Sequence, residues 1–334
     1  MTQSYQAIIA AEALGGPERY RLAETPPVPL TAGEVRLEVA AAGVSYVDVL
    51  IAAGRYQKQP PLPFVPGTEC SGTITEVADD VRGLAIGQRV VAGCGLGGAF
   101  ARQAHVAASD VIPIPDHLDF ADAAGTYVNY QTAYHGLVQR AALQAGERLL
   151  VLGASGGIGS AAIEIGRALG AIVIASASTP EKRAAAMALG ACATIPSDAE
   201  DWRDQVKALT EGRGADVVVD PVGGTETERA FRALAWNGRL LVVGFLGGAE
   251  IPAIRTNLPL LKGAALIGVD IRQFREREPD LARRNLDALN ALIQSGALSP
   301  TAAHRFPMHR FAEAMDLATR RDRVGRIVID MRLP

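Results

Sequence analysis

The residues Val151-Leu-Gly-Ala-Ser-Gly-Gly-Ile-Gly-Ser160 carry the densest small-residue pattern in the chain, and they stand between two apolar runs. Before them comes Arg148–Leu152, which reads as a buried strand. After them Ile158, Ala161, Ala162, Ile165 and Leu169 recur at helical spacing. Strand, glycine turn and helix in that order form the context in which such glycines cradle phosphate. Small residues admit the backbone to a pyrophosphate, and the helix N-terminus offers N–H groups and a partial positive charge. The spacing G-x-G-x-x-G reads here as Ala154-x-Gly156-x-x-Gly159, with one glycine replaced. Ala154, Ser155, Gly156, Gly157 and Ile158 are therefore expected to hold a dinucleotide.

The next strand, Ala171–Ala175, decides which dinucleotide. Sites for NAD place an acid about twenty residues past the glycines, where it accepts from the ribose hydroxyls. No acidic residue occurs between Ile165 and Pro180; Ser176 and Ser178 stand there instead, followed by Lys182 and Arg183. Hydroxyls can donate to a 2′-phosphate and an ammonium can neutralise it, Lys182 more than Arg183. The expected cofactor is NADPH.

Around these residues the chain is long enough, at 334 residues, for two domains. Hydrophobic residues make up 49%, charged residues 21%, and the net charge is −3. That balance gives no electrostatic case for nucleic acid or membrane as principal partner. The start, Met1-Thr2-Gln3-Ser4-Tyr5, has no signal-peptide pattern, and no apolar run suits a bilayer span. Cys70, Cys94 and Cys192 are widely spaced and suggest neither a disulfide framework nor a metal cluster, which suits a reducing cytoplasm.

Up to about Ile114 the chain reads as short strands broken by Gly and Pro: Tyr5–Glu12, Val35–Ala41, Gly72–Val77, Gln88–Val91 and Phe100–Ala107. A helical stretch is expected over Asp122–Val138. Strands alternate with helices afterwards, through Val217–Asp220, a helix over Thr225–Ala235, Arg239–Gly244 and Ala265–Val269. Helices near Leu281–Ile293 and Phe311–Ala318 lead to a last strand, Arg326–Met331. The expected fold is α/β: a doubly wound parallel Rossmann sheet beside a β-rich domain that the C-terminal segment completes. The expected boundaries are 1–122 with 297–334 for the β-rich domain and 123–296 for the nucleotide-binding domain. Phe245 and Leu246 after one strand, and Asp270 near the end of another, fall where open α/β sheets bind ligands.

Three blocks carry a family resemblance: Ala41–Gly72, Val128–Ala171, and Val242–Gly248 with Asn257–Asp270. In them the chain resembles the zinc-free quinone oxidoreductase branch of the medium-chain dehydrogenase/reductase superfamily, whose N-terminal domain is GroES-like. Zinc enzymes of that superfamily carry Cys-His-x-Asp and Gly-His-Glu around a catalytic metal. Here the segments read Ser45-Tyr46-Val47-Asp48 and Gly67-Thr68-Glu69. A hydroxyl does not replace thiolate or imidazole on zinc, so no metal is expected. Without that Lewis acid, hydride transfer needs an acceptor that is already electrophilic, a quinone or an α,β-unsaturated carbonyl. The resemblance implies Tyr46 and Tyr56 on the substrate side, and Ser45, Asn129 and Thr132 near the cofactor. It implies a homodimer joined through the edge strand in Ala264–Val269. Two other functions stay open: reduction of enoyl or acryloyl thioesters, and a cofactor-binding protein with structural or RNA-binding duties and little catalysis.

Overall fold

The computed structural model describes residues 4–10, 12–246 and 251–334. The chain divides into one unit of residues 1–128 with 300–334 and a second of residues 129–299.

The second unit is built on six parallel strands, the central ones formed by short, largely β-branched apolar runs. Their spatial order is Ala193–Pro196, Ile172–Ala177, Arg148–Val151, Ala215–Asp220, Leu234–Val242, Ala265–Gly268. The first and fourth strands in sequence lie side by side, which makes the doubly wound order with its switch point between Arg148–Val151 and Ala215–Asp220. Leu149, Leu150, Val151, Val217 and Val218 are buried to the last atom, so these two central strands are held by burial on both faces. Ala193–Pro196 carries little apolar pattern of its own and pairs as a strand because Ile172–Ala177 offers it an edge.

In the first unit the long strand Glu34–Val44 is the organiser. It pairs antiparallel with Glu69–Val77, with Gln103–Ala107 and with Arg326–Asp330, the last segment of the chain. Ile327 and Ile329 lie in the same core as Leu37, Val39, Ile74 and Phe100, so the C-terminus completes the domain that the N-terminus begins. The helix expected over Asp122–Val138 is divided into Phe120–Ala123, Tyr127–Tyr134 and a wider π turn, His135–Arg140. The break has a steric cause. Gly125 takes φ +81°, and a Cβ on Gly43 would lie 2.7 Å from the Gly125 Cα. The strand passes too close for a regular helix with side chains. The helix expected to reach Ala235 stops at Arg232, because Leu234 already joins the sheet. Among the described residues no helix is long and apolar enough to cross a membrane.

Candidate active site

The glycine loop sits at the carboxyl end of the first strand of the parallel sheet, beside the switch point. Leu152 N–H still bonds the Val219 carbonyl, after which Gly153 turns the chain at φ +56°. It is Gly153 that supplies the left-handed turn, while Ala154 and Ser155 are buried in the loop. Gly156 is the N-cap of the helix Gly157–Ala168 and brings no side chain, so the first-turn N–H groups are left for a ligand. A Cβ on Gly157 would stand 2.7 Å from the Asn129 Oδ1, and one on Gly159 would stand 2.3 Å from the Gly153 carbonyl oxygen. Glycine is required at 159, where a Cβ would meet backbone, and at 157 it lets the Asn129 amide come close to the helix start. Ile158 follows in the first turn. Asn129 and Thr132 lie one helical turn apart on Tyr127–Tyr134, which brings Asn129 against the loop. These residues fit a pyrophosphate.

The three residues expected around a 2′-phosphate do not stay together. Ser176 is only 2% exposed, and its Oγ accepts a hydrogen bond from the Trp202 indole at 2.9 Å. It belongs to the packing under the sheet. Ser178, past the strand end, is exposed and accepts from the Lys182 Nζ at 3.3 Å. Thr179 caps the helix Pro180–Ala188 and so places Lys182 over Ser178. Arg183 turns back to the carbonyls of Ala177 and Ser178.

Phe245 and Leu246 follow the fifth strand and are partly exposed, with Leu246 N–H bonded to the Pro221 carbonyl. Gly247 and Gly248 of the same block lie outside the described residues. Asp270 N-caps the helix Ile271–Arg277, accepting from the Gln273 N–H at 3.0 Å, so its carboxylate is spent on the helix. One acid escaped the sequence reading. Asp220, buried at the end of the fourth strand, accepts from Val222 N–H, Gly223 N–H and the Thr227 hydroxyl, fixing the turn beside the glycine loop. The Asp-Pro-Val-Gly-Gly run after an apolar strand is the signal that marks it.

In the first unit, Ser45 N-caps the helix Tyr46–Ala52 through a full capping box with Asp48. The Asp48 carboxylate takes the Ser45 N–H at 2.7 Å and the Ser45 hydroxyl at 2.5 Å on one oxygen; the other takes the Thr68 N–H at 2.7 Å. Burial pushes the Asp48 carboxyl up, against these hydrogen bonds. Tyr46 is the first residue of that helix and half-buried; Tyr56 is half-buried and packs on the first unit's core. Glu69 is fully buried, with one oxygen accepting from Val128 N–H at 3.0 Å and the other without a partner. His135 is buried and stacks on the Phe274 ring, with centroids 3.8 Å apart.

Residues 31–116 match the alcohol dehydrogenase GroES-like domain, and residues 157–286 match the zinc-binding dehydrogenase model. Over 302 residues the chain is 35% identical to quinone oxidoreductase-like protein 2 homolog from Nematostella vectensis, which covers 90% of this chain and 82% of that one. The chain belongs to the quinone oxidoreductase branch of the medium-chain dehydrogenase/reductase superfamily. Two solved structures resemble this oxidoreductase throughout. A probable oxidoreductase from Mycobacterium abscessus is 34% identical, with TM-score 0.87 over 98% of this chain and 99% of that one. A mycobacterial protein solved as a complex with NADPH is 27% identical, with TM-score 0.86 over 99% of this chain and 100% of that one.

Proposed function

We propose that the protein catalyses NADPH-dependent, metal-free hydride transfer to quinones or α,β-unsaturated carbonyl compounds. What carries this reading is the commitment of both former ligand positions to Asp48: the Ser45 hydroxyl donates into its carboxylate, and the Thr68 backbone is tied to it as well. A serine and a threonine hydroxyl are poor zinc donors, and among the described residues no three His, Cys, Asp or Glu side chains converge for a metal. The alcohol chemistry that needs a Lewis acid is therefore not supported, whereas reduction of an activated acceptor is.

NADPH, when bound, supplies the hydride. The loop Gly153–Ile158 and the open helix terminus hold the pyrophosphate, Asn129 and Thr132 flank it, and Phe245 and Leu246 border the strand ends. Ser178 and Lys182 hold the 2′-phosphate. Support for that phosphate comes from their mutual hydrogen bond and from the NADPH complex of the mycobacterial neighbour. Tyr46 and Tyr56 form the substrate-side wall, with Ser45 toward the cofactor. A tyrosine hydroxyl donates a hydrogen bond to the carbonyl oxygen that gains charge, and a tyrosine or water returns the proton.

The test is a panel of quinones, enals and enones followed by NADPH absorbance, on protein assayed before and after chelation. Turnover with substoichiometric zinc, unchanged by chelator, is expected. A stoichiometric zinc whose removal abolishes turnover would defeat the metal-free reading.

The same reading includes a homodimer. Ala265–Gly268 ends the parallel sheet, and Leu266 on it is exposed. Leu260, 79% exposed, and Leu261 lie just before it, and the 70% exposed Trp236 sits on the neighbouring strand. An open apolar edge of this kind is protected when a second copy extends the sheet. Sedimentation should give a species of twice the 35.0 kDa chain mass, converted toward monomer by Leu266→Asp. A single wild-type species at the chain mass refutes it.

A further inference from the structure

Cys70 and Cys94, separated by 24 positions, meet with their sulfurs 3.6 Å apart. We propose that they form a reversible intramolecular disulfide when the protein meets a small two-electron oxidant, and that closing it loosens the strand ends that hold Thr68. The two positions differ in freedom. Cys70 is locked inside Glu69–Val77, paired with Ala42 on one side and Ala92 on the other. Cys94 lies one residue beyond the strand Arg89–Gly93, is half-buried, and precedes Gly95 at φ +62° in a turn. A disulfide needs the sulfurs at about 2.05 Å, so they must close by roughly 1.5 Å, and Cys94 is the partner that can move.

The movement is felt by its neighbours. Cys94 N–H bonds the Thr68 carbonyl at 2.7 Å, and Thr68 N–H bonds Asp48, which closes the capping box of Ser45. Of the two residues Cys94 is the less buried, so it is the first to meet an oxidant. With hydrogen peroxide, the Cys94 thiolate attacks one oxygen, the O–O bond breaks, and the departing hydroxide takes up a proton as water. The sulfur is then a sulfenic acid. Cys70 loses its proton and attacks that sulfur; the S–O bond breaks, a second water leaves, and the S–S bond forms. Two thiols and one peroxide become one disulfide and two waters. The contact with Cys70, burial, and the charges of Glu69 and Asp48 hold the Cys94 thiol well above its ordinary range, which makes the first step slow and calls for oxidant in excess.

The experiment treats the whole protein with excess hydrogen peroxide, blocks remaining thiols and maps the peptides. The proposal, which does not rest on the reaction class, expects the thiol titre in denaturant of Cys192→Ser, which lacks the exposed third thiol, to fall from two to none per chain. It also expects a linked Cys70–Cys94 peptide and full recovery with dithiothreitol. Cys192→Ser should still form the link, and Cys94→Ser should form none and keep the buried Cys70 thiol. Amide exchange at Thr68 and Cys94 should rise on oxidation and return on reduction. Separately blocked Cys70 and Cys94 peptides after peroxide, or a bridge made by Cys192, overturn the site; unchanged exchange in linked protein overturns its reach to Thr68.

Discussion

Replacing Lys182 with Ala should weaken NADPH binding by roughly ten- to a hundredfold and leave NADH binding nearly unchanged. The size follows from a charge-assisted hydrogen bond, worth about 1.5–3 kcal/mol, which is what one phosphate contact loses with its ammonium. The geometry makes Lys182 the stronger half of the pair with Ser178. Its Nζ already donates to the Ser178 Oγ at 3.3 Å, which leaves that hydroxyl's own proton for a phosphate oxygen. Lys182 is 7% exposed, so its charge acts with less screening than a surface lysine's. Ser178→Ala should lose less, and Ser176→Ala should act on stability through Trp202 instead of on cofactor choice. Fluorescence titration of both cofactors against wild type and Lys182→Ala is the check. Equal losses for the two would assign Lys182 to the fold alone.

The second large effect is on stability. Glu69 is buried without a full set of partners, and burial lifts its pKa from 4.5 to about 7. The Asp48 charge adds to the rise, while the Val128 N–H and the Arg326 charge oppose it. The folded state therefore keeps a proton that the unfolded chain has already released. The stability tied to that proton is present in full below pH ~4.5 and is lost as pH rises through about 7. The loss amounts to about 3 kcal/mol. Glu69→Gln removes the titration while its amide oxygen can still accept from Val128. The variant should then be the more stable protein at pH ~9, with the advantage disappearing toward pH ~5. Urea unfolding followed by circular dichroism across that range measures it. A constant difference between the two proteins at all pH values would mean that Glu69 does not titrate in the fold.

What was legible in the sequence was what adjacent residues impose on one another. The strand, glycine turn and helix of Arg148–Ala168 follow from spacing and from the φ freedom and small size of glycine. The missing acid before Pro180 and the hydroxyls at Ser45 and Thr68 are matters of residue type at a place, so they too were readable without coordinates. The alternation of strands and helices was enough for the doubly wound sheet.

Tertiary structure decided whatever depends on a partner distant in the chain. Ser176 leaves the phosphate set because Trp202 reaches under the sheet to its hydroxyl. The helix beginning at Phe120 breaks because Gly43, more than seventy positions earlier, brings a strand against Gly125. Ala193–Pro196 becomes a strand because a neighbour offers hydrogen bonds, a term absent from its own side chains. Asp270 and Asp48 look alike in sequence as acids near strand ends or motifs. Asp270 is a solvent-facing helix cap, whereas burial and three donors make Asp48 the knot of the substrate-side block. Cys70 and Cys94 are unrelated letters until two antiparallel strand ends bring their sulfurs into contact. Each of these outcomes is set by packing and desolvation, which act between residues the chain brings together only when it folds.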